Sequence, residues 1–426
     1  MRSVYTLLWW CALPWLLLRL WWRGRKEHGY RLRKGERFGH YADPATKGGL
    51  WVHAVSAGEM RAAAPLVERL LLQHPHVPLL VTSMTATGAA AARALYGSRV
   101  THAWLAYDAP SAVARFVAHF APRAGIVMET EVWPNLLRAC ARAGVAVYLV
   151  NARLSPRSAR GYARIGALAR ETFAAFDGVA AQTAADAARI TQLGARDVVV
   201  CGNLKFDVEI APAQLALAIT LRERQGGSRT VLLVAATRDG EEALIIDALI
   251  AAPLPDNALT VIVPRHPQRF DDVAALLRAR GCAFVRRSAA LGVGADVRFV
   301  LGDSMGEMAA YYAAADVAFV GGSLLPFGGQ NLIEPIAQGI PTLIGAHTYN
   351  FRDVAASSVE AGAALRVADA ADLVARAAAL LSDPQQRTAM RERALAFHAA
   401  QRGAIDRLWR WLAPKVASAL QQRSRG

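Results

Sequence analysis

The 426-residue chain has few cysteines, and they are far apart in the sequence. They are Cys11, Cys140, Cys201 and Cys282. This spacing contains no Cys-x-x-Cys pair, so it favours isolated structural thiols in a reducing compartment. The sequence also lacks His-Glu-x-x-His, a cluster of Cys and His, and an Asp-x-Asp motif of the kind that holds a metal-bound nucleotide. We therefore predict that no metal and no cofactor take part in the chemistry.

Two nucleotide-binding fingerprints are missing as well. A Walker A motif and a Gly-x-Gly-x-x-Gly turn after the first strand are both absent, which argues against ATP hydrolysis and NAD chemistry. Acidic residues are scarce, since 34 Asp and Glu stand against 49 Lys and Arg, and the net charge is +15. This excess indicates an anionic surface or substrate. Nucleic acid is the rival partner, but the sequence has no dense basic run with interleaved aromatics. We therefore predict that the protein does not bind nucleic acid.

The N-terminal segment is the most apolar part of the chain. Residues 4–22 contain one charge, Arg19, and many tryptophans, and no small-x-small cleavage site follows. We predict a membrane anchor over residues 1–22 rather than a signal peptide. It is followed by a basic run that would contact phospholipid headgroups, formed by Arg23, Arg25, Lys26, Arg31, Arg33, Lys34 and Arg37. The positive-inside bias places the rest of the chain in the cytoplasm, while Pro14 and Arg19 leave open whether the segment spans or lies in the interface.

Beyond the anchor, short β-rich runs alternate with helical stretches, which is typical of βα units around a parallel sheet. We predict strands over 50–55, 79–83, 99–104, 124–128, 145–150, 178–182, 198–201, 230–235, 259–263, 283–286, 298–301, 317–321 and 342–344. An interdomain linker is predicted over 209–228, because a helical stretch there ends in the flexible composition Gln-Gly-Gly-Ser. It separates two doubly wound α/β domains, 23–208 and 229–395. A helical tail over 396–426 either packs on the first domain or touches the membrane.

The segment 317–334 has the order expected of a phosphate-binding element: an apolar strand, a glycine-rich turn and a helix. Its glycines let the backbone adopt positive φ and approach an anion closely, and they are Gly321, Gly322, Gly328 and Gly329. We predict a helix from about Asn331, whose free N–H groups would point at the anion. Glu334, one turn into that helix, would accept hydrogen bonds from ribose hydroxyls. An ordinary strand, loop and helix is the alternative.

Polar residues follow the predicted strands of the first domain. Glu59, in Ser-Ala-Gly-Glu, would act as a base toward an attacking hydroxyl, although acidic residues also favour a first helical turn for dipole reasons alone. Glu129 and Glu131 follow another apolar strand, and the sequence does not divide their roles. The same rim includes Asn151, Arg153 and Ser155. Lys205, near the end of this domain, would direct positive charge at a developing anion.

The second domain offers two further candidate binding segments. Arg265 and His266 follow a strand and lie between prolines, and the planar fork of arginine suits a phosphate. The histidine is as easily a structural donor. A Gly-rich turn containing Met305, Gly306 and Glu307 precedes a helix and could contact a base or phosphate. A plain helix cap is its alternative.

Seven strings in order carry a family resemblance: SAGE, METEVWPN, NARLS, GNLKFD, PRHP, GDSMGEM and GGSLLPFGGQNLIEP. Together they resemble the bacterial Kdo (3-deoxy-D-manno-oct-2-ulosonic acid) transferases over nearly the whole chain. The resemblance implies a GT-B glycosyltransferase of two Rossmann-like domains facing a cleft. It implies inverting, metal-independent transfer of Kdo from CMP-Kdo to the lipid A precursor, lipid IVA, in lipopolysaccharide biosynthesis at the cytoplasmic side of the inner membrane.

The resemblance also assigns residues. Glu59 matches the general base, and Glu129 and Lys205 match residues that stabilise the transition state. The CMP-binding positions are Arg265, His266, Met305, Gly306, Glu307, Asn331, Leu332, Ile333 and Glu334. Two alternatives remain: another GT-B nucleotide-sugar transferase or epimerase, and a catalytically inactive lipid A-binding protein. The number of Kdo units, the oligomeric state and whether the resting cleft is open are not determined by the sequence.

Overall fold

The computed structural model describes residues 2–26, 28–42, 47–207 and 209–422. The ends of three predicted segments, at Met1, Val208 and residues 423–426, lie outside this part, as do the side chains of Arg23 and Lys26 in the predicted basic run. The chain divides into two compact units. One unit is Met1–Val208 with Arg402–Gly426, and the other is Glu209–Gln401.

The first unit is a seven-stranded sheet covered by helices. Its strands are β1 (Leu50–His53), β2 (Leu79–Ser83), β3 (Thr101–Trp104), β4 (Ala124–Met128), β5 (Ala146–Ala152), β6 (Gly178–Ala181) and β7 (Val198–Val200). Its helices are α1 (Arg2–Lys26), α2 (Ala57–Gln73), α3 (Ala86–Tyr96), α4 (Pro110–Phe120), α5 (Pro134–Arg142), α6 (Pro156–Arg164), α7 (Gly166–Phe173) and α8 (Ala184–Gln192).

The second unit repeats this architecture. Its helices are α9 (Pro212–Arg224), α10 (Glu241–Ala251), α11 (Phe270–Ala279), α12 (Met308–Ala313), α13 (Ile333–Ala337), α14 (Arg352–Glu360), α15 (Ala370–Ser382) and α16 (Pro384–Gln401). Its strands are β8 (Thr230–Thr237), β9 (Ala258–Pro264), β10 (Phe284–Arg286), β11 (Phe299–Leu301), β12 (Val317–Val320), β13 (Thr342–Ile344) and β14 (Ala364–Arg366). The last helix, α17 (Ala404–Gln422), returns to the first unit.

Every strand pairing among the described residues is parallel. The strand orders are β3-β2-β1-β4-β5-β6-β7 and β10-β11-β9-β8-β12-β13-β14. The central strands are buried on both faces, so their sequences are continuous apolar runs. Strand order reverses between β1 and β4 and again between β8 and β12. In doubly wound sheets ligands bind beside such reversals, at the carboxyl ends of the strands.

Local sequence explains where several helices begin. Ser56, Thr85, Ser155 and Thr183 each cap a helix by accepting a hydrogen bond from the backbone N–H three residues on. The predicted strands are confirmed to within two residues at each end. The short edge strand β14 was not predicted, because its three residues carry no apolar run.

Two predicted boundaries differ from the structure. The linker predicted over 209–228 contains the expected helix, α9, but Ala218 and Leu221 of this helix are buried in the core of the second unit. The predicted tail over 396–426 is divided, since α16 belongs to the second unit and α17 to the first. Apolar side chains of α17 are buried in the first core, which realises the predicted packing on that domain: Leu408, Leu412 and Val416.

Candidate functional site

Glu59 lies at the carboxyl edge of the first sheet, in the opening turn of α2, beside the reversal between β1 and β4. Its carboxylate accepts hydrogen bonds from the Val55 N–H (2.8 Å) and the Ser56 hydroxyl (3.1 Å). The first-turn position considered from the sequence as the alternative to catalysis is therefore present as well. A carboxylate has about four acceptor positions, so these two bonds leave others for a substrate proton.

Burial raises the pKa of Glu59 from 4.5 to about 7, and the Glu129 charge adds to the rise. The hydrogen bonds from Val55 and Ser56 oppose the rise but do not cancel it. A carboxyl group with this pKa exchanges its proton near neutral pH, as a general base must. Val55 and Ser56, at the start of α2, hold the Glu59 carboxylate in place. Burial and the charge of Glu129 raise its pKa.

Glu129 follows β4 and is paired with Lys205. The Lys205 Nζ lies 2.7 Å from the Glu129 Oε1, and both side chains are partly buried. Glu129 has a φ of 58°, in the left-handed region that a glutamate rarely adopts. Lys205 sits on a short 3-10 turn, Leu204–Asp207, which is held by a bond from the Leu204 N–H to the Asn151 Oδ1 (3.0 Å).

Glu131 is held by different groups. Its Oε2 accepts a hydrogen bond from the Trp133 indole N–H at 2.8 Å and lies 3.9 Å from the His53 Nε2. Burial raises the pKa of Glu131 and lowers the pKa of His53 to about 3, so the imidazole is neutral at physiological pH. His53 was not identified from the sequence, because it is one residue within a buried strand. The role of Glu131 is thus distinct from that of the lysine-paired Glu129.

Two further residues on the predicted rim have structural partners. Asn151 is buried, with a φ of 52°, and anchors the turn that carries Lys205. Ser155 caps α6, since its hydroxyl accepts a hydrogen bond from the Ser158 N–H at 3.1 Å. The structure therefore brings Glu59, Glu129 and Lys205 to one edge of the first sheet, and Asn151 bonds to the turn that carries Lys205.

In the second unit, Arg265 and His266 follow β9 at the carboxyl edge. The Arg265 Nε donates to the Gln330 Oε1 at 3.3 Å, which links the β9 end to the glycine-rich loop. The His266 Nε2 lies 3.1 Å from a guanidinium nitrogen of Arg238, the residue after β8. Burial lowers the pKa of His266, and the charges of Arg238 and Arg265 lower it further. Arg238 was missed from the sequence, although a cationic residue directly after an apolar strand was its available signal.

The glycine-rich loop after β12 has the predicted conformation at three of its four glycines. Gly322, Gly328 and Gly329 have positive φ. Gly321 does not, and is required for space instead, because a Cβ there would lie 2.7 Å from the Thr237 Cα. The loop is closely packed on the end of β8.

A buried carboxylate fixes this loop. Glu241, in the first turn of α10, is fully buried, and its two oxygens accept hydrogen bonds from the N–H groups of Arg238 (2.9 Å), Gly322 (2.6 Å) and Leu324 (2.9 Å). It therefore joins the ends of β8 and β12, the two strands at the reversal. No local pattern indicated this role of Glu241, because acidic residues in a first helical turn are common.

The helix predicted from Asn331 begins later than expected. The helix α13 starts at Ile333, so Glu334 is its second residue and not one turn in. The Asn331 side chain bonds to the start of this helix, since its Oδ1 accepts from the Ile333 N–H (3.2 Å) and its Nδ2 donates to the Glu334 Oε1 (3.0 Å). Leu332 and Ile333 are buried, so any contact they make with a ligand is through the backbone.

The predicted turn at residues 305–307 follows β11. Gly306 has a φ of 83°, and the Met305 side chain is exposed. Glu307 accepts a hydrogen bond from the Ser304 hydroxyl at 2.6 Å and pairs with Arg287 at 3.3 Å. This turn has partners different from those of Arg265 and His266, although β11 and β9 are neighbours.

Comparisons with known proteins agree with this architecture. Residues 33–208 match the family described as 3-deoxy-D-manno-octulosonic-acid transferase, and residues 283–397 match glycosyl transferases group 1. The chain is 45% identical to a 3-deoxy-D-manno-octulosonic acid transferase of Bordetella pertussis, over 96% of this chain and 99% of that one. A second such transferase, of Haemophilus influenzae, is 35% identical over 97% of this chain and 98% of its own length.

A solved glycosyltransferase from Rickettsia africae shares the fold. It superposes with a TM-score of 0.58 at 11% identity, covering 88% of this chain and all of that one. At this identity the likeness concerns the two-unit α/β architecture alone. It agrees with the GT-B class expected from the sequence.

Proposed function

The chain belongs to the family of Kdo transferases, and on that premise we propose that it transfers Kdo from CMP-Kdo to a lipid A precursor, lipid IVA, by an inverting mechanism that requires no metal. The observation that carries the proposal is the carboxylate of Glu59, whose pKa is raised to about 7 beside the Glu129–Lys205 pair. A transferase that uses an activated donor needs a base for the acceptor hydroxyl and positive charge for the leaving phosphate. The two units supply groups of both kinds.

Glu59 serves as the base in this proposal. The acceptor hydroxyl oxygen attacks the anomeric carbon of Kdo on the face opposite CMP, and Glu59 accepts the hydroxyl proton. The bond from that carbon to the phosphate oxygen breaks, and its electron pair leaves with CMP. A base with a pKa near the working pH combines a useful ionised fraction with adequate proton affinity.

The charged groups of the second unit bind CMP. Arg265 and Arg238 offer guanidinium groups at neighbouring strand ends, and His266 lies between their charges. The turn at residues 305–307 and the segment 331–334 supply further contacts to the nucleotide. In the first unit, Lys205 and Glu129 stabilise charge that develops during transfer, and their ion pair fixes the lysine ammonium.

Attachment to the inner membrane on its cytoplasmic side is part of the proposal. Among the described residues, the structure has one helix, Ser3–Trp22, that is long and apolar enough to cross a membrane. The net charge of +15 suits an anionic lipid surface and a phosphorylated acceptor. A membrane-embedded acceptor and a soluble sugar nucleotide would then meet at the membrane surface.

The direct test is to incubate the purified protein with CMP-Kdo and tetraacylated lipid A precursor and to measure the product masses by mass spectrometry. We expect a mass increase of one or more Kdo residues, which also counts the units added. The reaction should proceed in EDTA and should not occur with UDP-sugars. Product formed only from UDP-sugars would overturn the donor assignment, and undiminished turnover by Glu59→Ala would overturn the base.

A further inference from the structure

The apolar helix α1 has one face that contacts the first unit along most of its length. Its partly or fully buried positions recur at helical spacing and are residues 5, 6, 9, 12, 13, 16, 20 and 24. From Tyr5 to Gly24 this stripe extends for roughly 28 Å at 1.5 Å per residue. A helix surrounded by lipid would need no such stripe, because it would face hydrocarbon on every side.

The contacts at the start of this stripe are specific. The Tyr5 hydroxyl donates to the Asp108 Oδ2 at 2.8 Å, and the Asn135 Nδ2 donates to the Thr6 hydroxyl at 3.5 Å. Asp108 is buried and also accepts from the Asn135 and Leu136 N–H groups at 3.0 and 2.7 Å, where α5 begins. Polar partners of this kind are stable in a protein interface and costly within hydrocarbon.

Apolar contacts continue along the helix. The Trp9 ring lies 5.9 Å from the Tyr107 ring and 6.1 Å from the Trp133 ring, measured between centroids. Leu20 is buried against Tyr30 and Tyr107. Both halves of α1 are therefore held by the same unit, which excludes a perpendicular crossing in this docked state.

The opposite face of α1 is apolar and exposed, and its composition indicates what covers it. It presents Val4, Leu7, Leu8, Trp10, Trp15, Leu17, Leu18, Trp21 and Trp22. Arg19 and Arg25 stand beside this face, their guanidinium carbons 5.6 Å from the Trp15 ring and 4.2 Å from the Trp21 ring. Tryptophan with flanking arginine is the composition of a helix in the headgroup region, where cations meet anionic phosphates.

We propose that α1 is an interfacial helix, docked on the first unit by one face and immersed by the other in an anionic lipid surface, and that it does not span the bilayer. The proposal rests on the proposed action at a membrane and decides the question that the sequence left open. It also places the carboxylate edge of the first sheet, which carries Glu59 and Glu131, near the lipid surface. Trp9 contacts Trp133, whose indole N–H donates to Glu131, so the lipid-facing helix lies close to the carboxylate edge.

Cysteine accessibility tests the topology without requiring transfer activity. In a background with Cys11→Ser and Cys282→Ser, which leaves only buried cysteines, Ser3→Cys places a thiol at the start of α1 and Ser228→Cys places one on the exposed surface of the second unit. Sealed membrane vesicles with the full chain are treated with a membrane-impermeant maleimide. We expect both positions to react from the same side. Reaction of the two thiols from opposite sides would show a spanning helix and overturn the proposal.

A matched pair of substitutions separates the two faces. Tyr5→Phe removes the bond to Asp108, so it should lower the melting temperature and leave binding to phosphatidylglycerol-containing vesicles unchanged. Leu8→Ser, on the exposed face, should weaken vesicle binding several-fold without lowering the melting temperature. If Leu8→Ser instead leaves vesicle binding intact and dissociates a dimer, the face binds a second copy and the proposal is wrong. If both thiols are labelled from the same side of the membrane but the protein transfers no Kdo, the proposed function is wrong and the proposed position of α1 stands.

Discussion

The Lys205 ammonium and the Glu129 carboxylate form an ion pair of 2.7 Å, although the two residues are 76 positions apart. The pair lies beside Glu59, whose pKa the Glu129 charge helps to raise. Lys205 thus acts on Glu59 indirectly, because it moderates the charge of Glu129. Four consequences of this site and its counterpart in the second unit can be measured.

Replacing Lys205 with methionine should lower turnover by about 100-fold, the usual cost of losing one charge-stabilising group. It should also raise the pH at which activity is half-maximal above about 7, because an unpaired Glu129 opposes ionisation of Glu59 more strongly. The measurement is a pH–rate profile of transfer. Lys415→Met is the control, since it breaks a similar 2.6 Å pair, with Asp197. A slower enzyme with an unshifted profile would contradict the coupling.

Glu59→Gln should abolish most transfer and yet stabilise the fold at alkaline pH. Because the folded-state pKa of Glu59 is raised from 4.5 to about 7, its favourable contribution is complete below pH 4.5 and is lost as pH rises through 7. The glutamine variant avoids this loss, so its free energy of unfolding at pH 8 should exceed that of the parent by about 1 kcal/mol after allowance for solvent. Denaturant unfolding at pH 4.5 and pH 8 measures the difference.

The control for this prediction is Glu68→Gln, in the same helix α2. Glu68 is partly exposed and pairs with Arg99 at 2.7 Å, away from the carboxylate edge. It should leave transfer intact and should gain no stability at pH 8. Equal stabilisation by both variants would show that removing any negative charge stabilises the fold, and that the cost of ionising the buried Glu59 is not the cause.

Glu241→Gln should weaken CMP binding at least about 10-fold, since a side-chain NH₂ would face backbone N–H donors in a buried site. The donors are those of Arg238, Gly322 and Leu324. Glu242→Gln is the matched control, because Glu242 is equally buried but bonds to Thr237 and Arg269. Both variants should melt at lower temperature, and calorimetry should find weaker CMP binding in the first alone. Equal affinity in both would remove the positioning role of Glu241.

Binding of CMP should raise the pKa of His266. In the free protein burial and the charges of Arg238 and Arg265 hold this pKa below its usual range. A bound phosphate would neutralise the two guanidinium groups, so the pKa of the His266 imidazole should rise. An NMR pH titration of the imidazole, with and without CMP, provides the measurement, and His398 on α16 serves as the internal reference. An unchanged His266 titration would place the phosphate elsewhere.

Much of the fold followed from local patterns. The continuous apolar runs of the central strands identified them to within two residues. The prediction was less accurate where a local signal had two meanings. The Gly-rich stretch before residue 228 suggested a linker, but the apolar side chains of α9 before it are buried in a core.

The site was predicted in its residues more than in its interactions. Glu59, Glu129 and Lys205 were each found at the end of a recognisable strand or motif, because parallel strands bring such ends to one edge. His53 and Glu241 were not found. Each lies in an unremarkable local sequence, and its importance comes from contacts with residues distant in the chain, such as Glu241 with Gly322, 81 positions away.

The sequence by itself determined the secondary structure, the two α/β units and the family, since these depend on local periodicity and on ordered motifs that are present in one dimension. Only the tertiary structure decided the proton affinity of Glu59, the partner of Lys205 and the docked face of α1. Desolvation and Coulomb interactions depend on distance in space, and folding brings together groups that the sequence keeps many residues apart.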